Sequence, residues 1–258
     1  MINQPPIQAA DLGNLLLKAG TALLKAGAGS NRIVINLMRF AAAYGYEAQV
    51  NLGTRHISVS MYQEGQDCVF SGSRSNPSLP GVNFQLITAI SQLSWDVTKT
   101  RLSIEEVGNA LDTAMRLPEY HRAVILALVG VAGAAFCYTF GGGAVEMGIT
   151  FVATVAGLFL RQEMNRRKYN TFLVTYSSAV VASLIIGLFW KAGIESKLDH
   201  AFATSVLFLI PGVPLINSFI DLMDGYIING IDRVITSCIH AFAIASGLAT
   251  VLYIFKVQ

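Results

Sequence analysis

Charge is what this chain has little of: only 13% of its 258 residues are charged and the formal net charge at pH 7 is +2, against 53% hydrophobic residues. So small an excess, with no basic run interleaved with aromatics, excludes the electrostatic footprint of a nucleic-acid binder, and no nucleic acid is expected as a partner. Cysteine is scarce as well. Cys68, Cys137 and Cys238 form no CxxC pair and two of them lie in apolar runs, so neither a disulfide framework nor a metal site is expected and they read as small hydrophobes. The signatures GxSxG and HExxH and any Cys/His pairing are missing too, which leaves hydrolase chemistry without a nucleophile and a base. No enzyme activity and no cofactor is expected. Gly141-Gly142-Gly143 is followed by no Gly-Lys-Ser/Thr and preceded by no strand, so it is not a phosphate loop. The first thirty residues carry Asp11, Lys18 and Lys25 on a helical pattern rather than a short basic head and an apolar core. A signal peptide is therefore not expected, and the N-terminus is expected in the cytoplasm.

What the chain does have is apolar length. A mean hydropathy of +0.52 fits an integral membrane protein with a soluble portion. From Asp11 to Ala26 a leucine and alanine stripe predicts a helix stopped by Gly27-Ala28-Gly29, and a second helix is expected from Ser30 or Asn31 to about Tyr44, with Ile33, Leu37, Met38 and Ala41 inward. The period then falls to two. Ile57, Val59 and Met61 alternate with Ser58, Ser60 and Tyr62; Glu64-Gly65-Gln66 reads as a turn; Cys68 and Phe70 alternate again; and Ala48 to Leu52 adds a strand, so a small antiparallel sheet is expected. Ser71 to Gly81, with Pro77 and Pro80, reads as a loop. A helix is expected from Asn83 to about Thr98, and Ser103-Ile-Glu-Glu106 is a capping box opening another.

From Ala123 to Phe140 no residue is charged, and the chain beyond divides into apolar stretches long enough to span a bilayer. The expectation is an α-helical integral membrane protein with five transmembrane helices, preceded by a small α+β cytoplasmic domain. Residues 1–118 form that domain, and residues 119–258 hold spans at about 123–140, 144–160, 170–190, 200–220 and 234–255. Gly130 and Gly133 suit close helix packing. With the N-terminus inside, Arg116, Arg122, Arg161, Arg166, Arg167, Lys168 and Arg233 fall on inner flanks and Lys191, Lys197 and Lys256 on outer ones, so the basic residues agree with that orientation. Five spans put the C-terminus outside.

The stretch from Leu207 to Arg233 breaks the apolar pattern. Pro211 and Pro214 fall near the middle of the expected fourth span, where missing amide hydrogens free carbonyls that only protein or a wet cavity can accommodate. A broken helix at that depth marks a binding site. Pro211, Pro214, Asn217, Asp221 and Asp224 share one helical face, so Pro211, Gly212, Pro214 and Asn217 are candidates for binding substrate. Asp221, Asp224, Glu146 and His240 are candidates for a proton or cation pathway. Their ordinary readings stay beside these: solvated inner carboxylates, an exposed loop acid, and a neutral imidazole bonded to a neighbouring helix. Thr171, Thr175, Tyr176, Ser177 and Ser178 give the third span a polar end that fits packing or a pathway equally. In the soluble part, Arg32, Arg55 and His56 suggest a ligand for an acid, with surface salt bridges or lipid headgroups as the alternative.

The run Pro211-Gly-Val-Pro214-Leu-Ile-Asn217, followed by Asp221-Leu, Gly225, Gly230 and Arg233, resembles the motif of the bacterial threonine/serine exporter family. Ala26-Gly27-Ala28 with Arg32 is similar to that family's first cytoplasmic motif, although Ile33, Val34 and Ile35 stand where an acidic residue often follows. The resemblance runs from about Leu12 to the end. Single-chain members are similar to this sequence plus a second, smaller membrane domain, so the resemblance implies the larger subunit of a split exporter. It implies a separate small membrane-protein subunit as partner, an oligomer, a bacterial inner-membrane location, proton coupling and a small-molecule substrate. That substrate is a threonine- or serine-like amino acid or a small carboxylate such as succinate. A second expectation of another class is a membrane-bound sensor subunit whose partner carries the transport.

Overall fold

The structure, a computed structural model, describes residues 9–63, 68–75, 81–100, 102–117, 120–194 and 198–256. The expected turn at Glu64-Gly65-Gln66, the loop prolines Pro77 and Pro80, and Lys197 lie outside them. Contacts divide the chain into two units, residues 1–118 with 213–234, and residues 119–212 with 235–258. The segment 213–234, assigned with the membrane part when the sequence is divided at 118, thus packs with the N-terminal residues.

In the first unit, helices α1 (Ala9–Lys25) and α2 (Ser30–Ala43) precede strands β1 (Tyr46–Leu52), β2 (His56–Gln63) and β3 (Cys68–Ser75), then α3 (Phe84–Thr100) and α4 (Ile104–Met115). The strands form one antiparallel sheet in the order β1-β2-β3. Ile57, Val59 and Met61 of β2 are fully buried and join Leu12, Leu16 and Leu23 of α1 and Ile33 and Leu37 of α2 in one core. A period of two on the sheet meets a period of about 3.6 on the helices, and each fully buried aliphatic side chain is worth roughly 1.5–3 kcal/mol. Two expectations shift. Met38 is 46% exposed, and β3 runs on to Ser75 where a loop was expected from Ser71.

The capping box is present: Ser103 Oγ accepts from Glu106 N–H at 3.3 Å, and Glu106 Oε2 accepts from Ser103 N–H at 2.7 Å. The Ser103 backbone N–H, and secondarily its hydroxyl, hold the Glu106 carboxyl below its ordinary value. A carboxylate with a depressed folded value stabilises above its unfolded value and loses that contribution as pH falls through the folded one. Ser103→Ala should lower the unit's stability by about 1 kcal/mol by denaturant midpoint. Glu106→Gln should flatten the acid limb of stability against pH.

The second unit contains α5 (Arg122–Thr139), α6 (Ala144–Arg166), α7 (Thr171–Lys191), α8 (Asp199–Ser205) with a 3₁₀ turn at Leu207–Leu209, and α10 (Ile227–Phe255) from residue 235 on; α9 (Gly212–Met223) falls in the first unit from residue 213. Among the described residues four helices, α5, α6, α7 and α10, are long and apolar enough to cross a membrane, and the broken pair 199–209 with 212–223 raises the number to five if counted as one span. The chain is thus an α-helical protein with four to five candidate spans and an N-terminal three-stranded sheet. The glycines on α5 act as expected. A Cβ at Gly130 would stand 2.8 Å from the Phe151 ring and one at Gly133 2.6 Å from Thr154 Oγ1, so α5 and α6 approach as closely as bare backbone allows. Arg161, placed above on an inner flank, lies on α6 and donates to the Phe208 carbonyl at 3.0 Å.

Candidate functional site

The site is assembled at the corner between α1 and α2. Helix α1 ends in a Schellman motif, with Ala28 N–H on the Leu23 carbonyl at 3.1 Å and Gly27 N–H on the Leu24 carbonyl at 3.1 Å. Gly27 has φ +74°, a conformation that only glycine adopts without strain. Gly29 then caps α2 without a side chain of its own, so the amides of its first turn need acceptors from elsewhere.

They come from the far end of the sequence. Asp221 on α9 accepts from Ser30 N–H at 2.9 Å and from Ser30 Oγ at 3.0 Å. Arg233, on the first turns of α10, pairs through Nε with Asp221 Oδ2 at 3.2 Å and donates through Nη2 to the Ala28 carbonyl at 2.8 Å. Asn229 donates to Ser30 Oγ at 3.1 Å and Asn217 to the Gly27 carbonyl at 3.1 Å. Asp221 is fully buried. A carboxylate set against a helix N-terminus and an arginine is satisfied by dipole, hydrogen bonds and charge together.

Helices α9 and α10 reach this corner as a tight hairpin. A second Schellman turn closes α9, with Tyr226 N–H on the Asp221 carbonyl at 2.8 Å and Gly225 at φ +85°. Gly230 lets the helices touch, since a Cβ there would meet the Ser218 carbonyl at 3.0 Å. Burial, reinforced by Asp224 and then Asp221, pushes the Tyr226 hydroxyl above its ordinary value.

The prolines stand at the break in the expected fourth span. Ile210, with ψ 126°, is extended, as a residue before proline prefers. Pro211 precedes α9, whose first residue is Gly212, and Pro214 lies in its first turn, where an amide hydrogen has no intrahelical partner to lose. They start a helix instead of kinking one.

Beside the corner, α2, α3 and α9 enclose a groove of about 690 Å³, within the range of small-ligand pockets. Asn31, Arg32, Arg39, Trp95, Asn217 and Asp224 are among its lining residues. Arg39 is held by Ser94 Oγ at 2.8 Å and lies 3.7 Å over the Trp95 ring. The Arg32 guanidinium is exposed and has no hydrogen bond or ion pair among the described residues. Asn217, expected to bind substrate, and Asp224, expected on a proton or cation pathway, are among this groove's lining residues, whereas Pro211, Gly212 and Pro214 are not. Arg55 and His56 lie at the β1–β2 turn, away from it. The sequence reading passed over Arg39, although it follows Arg32 by seven residues, two turns along α2.

The remaining candidates lie in the second unit. His240 Nδ1 is 2.9 Å from Thr175 Oγ1, which donates its one hydrogen to the Thr171 carbonyl at 3.0 Å. With that hydrogen committed, Nδ1 is the donor to Thr175 Oγ1, and the imidazole is tied to α7. Tyr176 bonds Thr250 at 3.2 Å. Glu146, a pathway candidate whose ordinary reading was an exposed loop acid, is only 7% exposed and accepts from Gly143 N–H at 3.1 Å.

Several apolar helices of membrane-spanning length define a membrane protein, and its first unit holds a groove lined by Arg32, Arg39 and Asp224. The chain belongs to the threonine/serine exporter family: residues 14–255 match the family described as "Putative threonine/serine exporter". It is a multi-pass transporter protein and not an enzyme. It is similar to the "Probable succinate transporter subunit YjjP" of Escherichia coli (strain K12), at 26% identity over 246 residues that cover 95% of this chain and 94% of that one. It is similar also to the protein of the same name from Klebsiella aerogenes, at 26% identity over 221 residues, 85% and 84% of the two chains. No solved structure matches it.

Proposed function

We propose that this chain is the larger subunit of a two-component, proton-driven exporter that carries a small dicarboxylate out of the cytoplasm across the bacterial inner membrane. The observation that carries the reading is the groove, where two arginines about 10 Å apart along α2 stand beside first-turn amides of Asn31 and Arg32 that lack intrahelical acceptors. That set suits a dianion. The name of the two relatives supports succinate as substrate and, in the word subunit, a partner; that the partner is a small membrane protein of the same family follows from the resemblance. In this reading the N-terminal unit is cytoplasmic, α5, α6, α7, the broken α8–α9 segment and α10 make five crossings, and the C-terminus is outside. The α8 segment is short for a crossing, which suits a helix whose Leu198, Ala201 and Phe202 are buried in protein rather than facing lipid.

The test is efflux from cells preloaded with isotope-labelled succinate, threonine and serine, with this chain alone, with its small partner, and with neither. Faster succinate efflux only when both are present is expected. Asp224 favours one second reading, since a groove holding arginines and an exposed carboxylate also suits the two charges of an amino acid. Asp224→Asn separates them: it should leave succinate efflux intact, whereas threonine or serine efflux, if that is the activity, should fall several-fold with loss of an ammonium partner. Retained efflux with lost response to a cytoplasmic metabolite in Arg32→Gln would favour the sensor reading. Deleting residues 1–118 is a poorer test, because it strips Asp221 and Arg233 of their partners.

A further inference from the structure

The second unit holds a line of polar atoms that packing does not account for. Glu146, Thr150 and Thr154 follow at four-residue spacing on α6 and are 7%, 0% and 1% exposed, so they share one buried face about 12 Å long. Glu146 Oε1 and the hydroxyls of Thr150 and Thr154 have no hydrogen-bond partner among the described residues, and neither do Ser178 and Ser183 on α7 or Ser237 on α10. Helical threonines commonly donate to the carbonyl four residues back, as Thr139, Thr175, Thr204 and Thr250 of the same unit do. Thr150 and Thr154 leave that bond unmade.

Glu146 has one structural duty, and it occupies one oxygen. Oε2 accepts from Gly143 N–H and closes the start of α6, but glycine has no side chain to return the bond. A capping carboxylate ordinarily keeps its second oxygen in water, whereas this one is turned into the protein. His200 on α8 stands with Nδ1 3.4 Å from Oε2, its own side chain 44% exposed. The other titratable groups on the packed elements are engaged elsewhere or exposed. Cys137 of α5 is buried against Gly142, Tyr138 is exposed, Tyr176 of α7 bonds Thr250, and Lys191 and Asp199 are exposed. Farther along α6, Arg161 is bonded to the Phe208 carbonyl, and Glu163 pairs with Arg122 and Arg167. A line of hydroxyls with one carboxylate, and with no lysine or arginine turned to it among the described residues, repels a dicarboxylate and accepts a proton.

We propose that Glu146 is the group that binds the driving proton, received from the aqueous phase through His200 and passed on along Thr150 and Thr154. The assignment rests on the proton-driven reading above and gives it a site. One proton adds to Oε1 to form the neutral carboxylic acid, and the carboxylate returns when that proton leaves along the hydroxyls; no other bond changes.

The test uses wild type and Glu146→Gln, each with the small partner, in liposomes containing labelled succinate and a pH-sensitive dye. Glu146→Gln should keep succinate-for-succinate exchange and lose both the efflux driven by an imposed pH gradient and the proton influx accompanying it. Thr150→Val, which removes the hydroxyl and keeps the shape, should slow the driven flux alone. In infrared titration of the purified protein, a carboxyl stretch present in wild type should be missing from Glu146→Gln. Wild-type driven efflux and proton influx in Glu146→Gln, or an unchanged titrating band, overturns the proposal. Should wild type move no succinate, the exporter reading fails for that substrate while the infrared comparison still decides whether Glu146 takes up a proton.

Discussion

Asp221→Ala should destabilise the first unit by about 3 to 5 kcal/mol, the cost of removing one partner from a buried charge pair, which for a unit of this size is a fall in melting temperature on the order of 10 °C. Arg233, with a side chain 16% exposed, would be left facing a carbonyl and a void, and the first amide of α2 would lose its acceptor. Asp221→Asn should cost less, because its oxygen still accepts from Ser30 while the charge opposite Arg233 is gone. The double variant Asp221→Ala/Arg233→Ala should be less destabilised than the sum of the single ones, since neither charge is then stranded. Trp95 lies in this unit and Trp190 in the other, so fluorescence in a Trp190→Phe background follows the first unit alone. A loss below about 1 kcal/mol would mean that Asp221 behaves as a solvated carboxylate, and the corner would need another explanation.

That carboxylate also shows where reading by sequence stops. The β2 alternation, the Ser103 capping box and the charge-free run after Ala123 were legible because each is a local rule with a period or a fixed spacing. Asn217, Asp221 and Asp224 were legible as a shared face. What that face meets was not, because the partners Gly27 and Ser30 lie about 190 residues earlier and no local pattern names them. Hydropathy is silent at the same place: Val213, Leu215, Ile216, Phe219 and Ile220 give α9 its apolar content, but its two buried residues are Ser218 and Asp221. The prolines were ambiguous for a related reason. A missing amide hydrogen breaks a helix that precedes it and costs nothing to a helix that begins there, and the choice depends on whether Ile210 is helical or extended. Glu146 stood open between a pathway group and a loop acid because it follows three glycines; only burial separates it from an exposed cap.

Arg32→Gln should weaken succinate binding by about 10- to 100-fold, the equivalent of one or two charge-assisted hydrogen bonds, and should leave the melting temperature unchanged. The second half of that expectation carries the argument. The Arg32 side chain is exposed and makes no bond among the described residues, so its removal strands none of them and exposes no apolar surface. Arg39→Gln differs: it breaks the bond to Ser94 and the stacking on Trp95, so some stability should go with the affinity. Arg32→Lys should fall between wild type and Arg32→Gln, because an ammonium keeps the charge and loses the two-pronged grip on a carboxylate. Trp95 beneath Arg39 supplies the signal, since a dianion drawing that guanidinium away changes the ring's surroundings and its fluorescence. Raising salt should weaken binding in wild type more than in Arg32→Gln, because an open groove leaves its charges exposed to screening. Unchanged affinity in both arginine variants would remove the groove from the substrate route and leave the first unit a structural role, that of fixing the α9–α10 hairpin through Asp221.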